Sequence, residues 1–131
     1  MRKLQDYFIF STYRPEFSEK KNEHLLFLIR QIVPDATEVV GCYKGGTEIS
    51  HIVLVERVTK ALLSFIFNDC AQESALYIDH EQSVFLVENE YDINMVHKLP
   101  IGTMTEVSMA EALAHESWTY NPNNKKIFTI K

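Results

Sequence analysis

Residues 37–56 read TEVVGCYKGGTEISHIVLVE: two β-rich runs, Thr37–Lys44 and Thr47–Glu56, on either side of Gly45-Gly46. A glycine pair supplies the positive φ angles of a tight hairpin, so the runs are expected as two antiparallel strands. The unbroken apolar stretch Ile52–Val55 places the second of them centrally, covered on both faces.

Upstream, Asp6–Thr12 (DYFIFST) is apolar and β-rich, and Arg14-Pro15 ends it, because the residue before proline is pushed out of the helical region. Ser18 is an N-cap residue with Glu19 in the first turn, and Leu25, Leu28, Ile29 and Ile32 recur at helical spacing up to Pro34. Downstream, Val58, Ala61, Leu62, Phe65 and Ile66 predict a second helix ending near Cys70. Ser74–Asp79 and Ser83–Glu88 are two further strands around the turn His80-Glu81-Gln82.

The order β-α-β-β-α-β predicts an α+β fold, a ferredoxin-like two-layer sandwich with helices on one face of an antiparallel sheet. The remainder is expected to append strands to it. Met104–Val107 is a short strand, and Ser108 with Glu111 has capping-box spacing before a brief helix to about His115. Trp118–Tyr120 and Lys126–Ile130 flank Asn121-Pro122-Asn123-Asn124 as a terminal hairpin.

At 131 residues the chain is expected to form one domain, 1–131, around a single core. Eighteen acidic against thirteen basic residues give a formal charge of -5, which lacks the basic stripe of a nucleic-acid binder. No apolar run approaches a membrane span, and MRKLQDYFIF has no signal-peptide core, so the expected location is cytoplasmic, with no membrane partner. Cys42 and Cys70 are the only cysteines and suit a reducing compartment.

The histidines at 24, 51, 80, 97 and 115 form no metal-binding motif, and no nucleophile elbow, P-loop or dinucleotide fingerprint is present. The densest polar cluster is Gly41–His51, where a hairpin can bring Tyr43 and Glu48 to the same rim of a sheet, a phenol and a carboxylate that could frame a small ligand. On spacing alone the cluster reads first as an exposed hairpin. Gly41, Cys42 and Ser50 belong to the same cluster as candidate substrate contacts. Glu73 and Tyr77, where the second helix meets the next strand, form a second candidate pair.

The F-x-F-S-x-x-R start at Phe8–Arg14, Gly41-Cys42-Tyr43, a glutamate entering the next strand, Lys98-Leu99-Pro100 and Glu106-Val107 come in an order that is familiar. It resembles the phage-encoded S-adenosylmethionine-degrading enzymes, long called hydrolases and now understood as lyases. The resemblance implies a ferredoxin-like homotrimer holding S-adenosylmethionine between neighbouring subunits, with catalytic tyrosine and glutamate at Tyr43 and Glu48. It also implies a metal-free, cofactor-free reaction giving methylthioadenosine and homoserine lactone, in the host cytoplasm, as an anti-restriction device. Water attack on the same substrate, a non-catalytic nucleotide- or effector-binding trimer, and a pure interaction protein remain alternatives.

Overall fold

The computed structural model of the chain describes residues 5–43, 46–88, 99–115 and 117–131, with Tyr43 by its backbone alone. Among the described residues eight strands are present: β1 Tyr7–Ser11, β2 Thr37–Tyr43, β3 Gly46–Leu54, β4 Ala75–Ile78, β5 Ser83–Val87, β6 Leu99–Val107, β7 Ser117–Asn121 and β8 Lys126–Ile130. Three α-helices accompany them among the same residues: α1 Glu19–Ile32, α2 Lys60–Ser64 and α3 Met109–Leu113. Ser18 and Ser108 cap α1 and α3 as the sequence predicts, accepting from the backbone amides of Lys21 and Glu111.

The strands do not form the expected sandwich. They close into an antiparallel barrel in the order β1-β3-β2-β7-β8-β6-β5-β4. The local elements of a βαββαβ unit are all there, and the arc β2-β3-β1-β4 follows from them. A ferredoxin-like sheet would leave its outer strands as edges, whereas here β2 continues into β7 and β4 into β5. The strands expected as an appendage are the missing wall: β6, which starts at Leu99, pairs with β5 and β8, and β8 pairs with β7. Closure satisfies every strand edge, the general reason barrels form.

Alternation along the strands divides the apolar residues into two clusters. Phe8 and Phe10 of β1, Val53 of β3 and Tyr77 of β4 face outward and pack with Leu25, Ile29 and Val33 of α1 and Leu62, Leu63, Phe65 and Ile66 from the second helical segment. Burying faces of this size at about 25 cal/mol per Å² is what holds the helices to the barrel wall. Ile9, Ile78 and Val84 point the other way and, with Ile52, Leu76, Met104 and Ile130, fill part of the barrel interior.

The second helix is not uniform. Val55–Arg57 is a 3-10 turn, Lys60–Ser64 is α-helical with Thr59 as its cap, and Phe65–Asp69 widens into a π-turn closed by a 2.9 Å bond from the Cys70 amide to the Phe65 carbonyl. Among the described residues no helix is long and apolar enough to cross a membrane.

Candidate functional site

The hairpin places Glu48 opposite Gly41, and Ser50 opposite both Val39 and Ser11. On the far side of Gly41 stands Thr119 of β7, and beyond that Phe128 of β8. Residues directly opposite in a sheet share a face, so Ser11, Gly41, Glu48, Ser50, Thr119 and Phe128 lie on the inner wall. They border a cavity of about 570 Å³ in the barrel, whose rim adds Cys42, Gln72, Glu73, Ser74, Ser117 and Trp118. That volume is within the roughly 300–1,000 Å³ of small-molecule sites. The apolar cluster around Ile9 and Val84 forms part of the interior, and Leu76 and Met104 belong both to it and to the cavity wall.

Glu48 is the half-buried carboxylate of this wall. Burial pushes its pKa above the ordinary 4.5, and the hydrogen bond with Ser11 opposes that rise. The Ser11 hydroxyl is also tied to the backbone, donating to the Ile49 carbonyl at 3.1 Å and accepting from the Tyr13 amide at 3.1 Å. Thr129 is likewise fixed, its hydroxyl donating to the Ser117 carbonyl at 2.9 Å. Gly41 leaves room beside this carboxylate: a Cβ there would stand 3.1 Å from the Ser50 hydroxyl.

Of the candidates named from sequence, Gly41, Cys42, Glu48, Ser50 and Glu73 all border the one cavity. The Tyr43 backbone lies on the same rim, paired with Gly46 and Ser117, while its side chain falls outside the described residues. Lys98 of the resemblance also falls outside them. Tyr77 does not border this cavity. It faces the helices, packs edge-on against Phe85 at 6.3 Å, and donates its hydroxyl to Asp6. Burial first, and then that bond, push its phenol up to about 12. The expected Glu73–Tyr77 pair is therefore split: Glu73 precedes β4 and borders the cavity, free of the strand's alternation, while Tyr77 within β4 faces the helices.

Sequence reasoning missed Ser11, Gln72, Ser117, Thr119 and Trp118. Ser11 lies within the F-x-F-S-x-x-R start, Gln72 precedes β4 outside any strand, and Ser117, Trp118 and Thr119 lie on β7, whose barrel partners no local pattern announces. A second depression of similar volume lies outside the barrel between Tyr13, Phe17, Leu26 and Ile49. Its carboxylates, Glu19 and Glu23, sit on the outer surface of α1. Among the described residues no three His, Cys, Asp or Glu side chains converge as metal ligands.

With this geometry in place, comparison with known proteins adds one finding. The model of the S-adenosylmethionine lyase family matches residues 8–131. No curated relative matches the chain.

Proposed function

Because the chain belongs to the S-adenosylmethionine lyase family, we propose that it cleaves S-adenosylmethionine in the barrel cavity to methylthioadenosine and homoserine lactone. The substrate's own carboxylate attacks its γ-carbon, the Cγ–S bond breaks, and the bonding electron pair stays on sulfur. No proton has to move, and the carboxylate is already ionised at neutral pH. Charge balances, since an anion and a sulfonium cation merge into a neutral ester and a neutral thioether.

Such a reaction asks little of a protein beyond shape. Folding the methionyl chain into a near-attack conformer can contribute roughly 7–11 kcal/mol. The walls of the cavity, mainly apolar with serine and threonine hydroxyls among them, would hold that conformer. Glu48 accepts hydrogen bonds from the substrate ammonium or ribose and stabilises the sulfonium end, and Tyr43 orients the reacting chain. Gly41, Cys42, Ser50 and Glu73 contact the remainder. Tyr77 has no role at the cavity.

The observation that carries this reading is the position of Glu48: a half-buried carboxylate on the wall of a ligand-sized cavity, in a chain of this family. A cation is the complement of such a group. The mouth of the cavity is open, and Ile101 on its border is 39% exposed. A neighbouring subunit in a homotrimer would cover that mouth. In a phage, the outcome would be depletion of the methyl donor on which methylation-linked restriction depends.

The test is to incubate the protein with S-adenosylmethionine in labelled water, without added metal, and follow products by mass spectrometry. Homoserine lactone free of solvent oxygen is the expected result. Initial homoserine carrying the label would mean hydrolysis, and intact substrate would leave a binding module. Solution mass reads the trimer separately.

A further inference from the structure

We propose that Arg14 is a positioning residue for this site: it ties down the strap at 71–74, whose Gln72, Glu73 and Ser74 border the cavity, by hydrogen bonding to the Ala71 carbonyl. The inference rests on reading the barrel cavity as the substrate site.

The strap is held in a conformation it would not keep by itself. It emerges from the π-turn, with the Gln72 amide reaching back to the Ile66 carbonyl at 3.1 Å. Ala71 then adopts φ 49°, the left-handed region that side chains other than glycine rarely occupy. A residue kept there needs external contacts that outweigh the strain. Two such contacts come from the segment following β1.

The Arg14 guanidinium donates through Nη1 to the Ala71 carbonyl and through Nε to Glu16 Oε2 at 2.7 Å. It also attracts the Glu73 carboxylate electrostatically. The Gln72 side chain donates through Nε2 to the Tyr13 carbonyl at 2.9 Å and to the Cys70 carbonyl at 3.2 Å. Arg14 is itself fixed from α1: Asn22 Oδ1 accepts from its backbone amide at 3.0 Å, and Asn22 Nδ2 donates to its carbonyl at 2.8 Å. A continuous series of bonds thus runs from α1 through Arg14 to the strap and the cavity rim. Arg14 does not border the cavity itself. Its effect on substrate passes through Ala71 and Glu73.

Arg14→Ala is expected to raise KM for S-adenosylmethionine roughly tenfold or more, the usual scale for a lost charge-assisted bond, with a much smaller change in kcat. Gln72→Ala should do the same to a lesser degree. Arg14→Lys, which keeps one donor for Ala71, should recover part of the loss. Amide exchange should accelerate in residues 71–74 while β1 and β3 remain protected. Loss of protection across the whole barrel would make Arg14 a general structural residue and overturn the proposal. An unchanged KM in Arg14→Ala and Gln72→Ala would overturn it too. Glu48→Gln separates the two levels: if it keeps full turnover, the cavity reading and this proposal fall together. If it loses turnover while the Arg14 variants keep their KM, only the proposal falls.

Discussion

At Glu48 stability and function pull in opposite directions. Its carboxyl is raised above 4.5 by burial, so between 4.5 and its folded-state pKa the native protein holds more protons than the unfolded chain. The stabilising contribution of that proton is full below 4.5 and is lost as pH rises through the folded value. At neutral pH the ionised group is therefore a burden on the fold, and Glu48→Gln should melt at a higher temperature than the natural protein. Turnover should drop roughly ten- to hundredfold, because a charged partner for the cationic substrate has gone. A pH profile of kcat/KM reads the same group: its acid limb should have a midpoint above 4.5. Ser11→Ala should move that limb further up, since the hydrogen bond from Ser11 is what opposes the rise. A limb at or below 4.5 would remove Glu48 from the site.

Among the elements, β6 determines whether the sheet closes. Its pairing with β5 slips between Val84 and Phe85, where Gly102 faces Val84 and Pro100 faces Phe85. Gly102 has φ 144°, and a Cβ there would lie 2.5 Å from the Lys131 carbonyl and 2.8 Å from the Ile130 side chain. That closeness is needed, because Lys131 exchanges two backbone hydrogen bonds with Thr103, at 2.7 and 2.9 Å. Gly102→Ala should destabilise the protein by about 1–3 kcal/mol from backbone strain alone, with the clash adding to it, seen as a lower denaturation midpoint. An unchanged midpoint would mean that β6 relaxes freely and does not set the closure. The elements themselves were legible: the apolar run Val84–Val87 and the caps Ser18 and Ser108 are local signals. Their assembly was not. A strand pattern carries its faces but not its neighbour, so nothing in residues 117–130 says that β7 lies against β2. The cavity was legible in the same partial way. Gly41, Glu48 and Ser50 stand on one hairpin, while Thr119 and Phe128 meet them only across the closed wall.

For the molecule as a whole, the barrel wall is sandwiched between an inner filling and an outer helical layer, and His51 sits at the second of these boundaries. It is 1% exposed, stacks on Phe10 at 5.3 Å, and its Nε2 has no hydrogen-bond partner among the described residues. Burial pushes its pKa below the ordinary 6.5. Glu38, opposite it on β2, favours the cation, and Arg30 of α1, itself bonded to Glu38 at 2.8 Å, opposes it. The unfolded chain thus binds the proton first. Stability contributed by neutral His51 is complete above 6.5 and declines as pH falls toward the folded-state value, with a limiting slope of about 1.4 kcal/mol per pH unit for one proton. Asp6 acts in a separate window. Its carboxyl is lowered chiefly by the Tyr77 hydrogen bond, with His80 adding to it, so its contribution is lost only as pH falls below the ordinary 3.8. His51→Phe keeps an aromatic ring against Phe10 and has nothing to protonate. Denaturant midpoints measured from pH 7 to 3 should therefore decline down to pH 4 in the natural protein and stay flatter in this variant, with both falling below pH 4. Parallel declines would show that protonation elsewhere, and not at the boundary between barrel and helices, governs the acid limb.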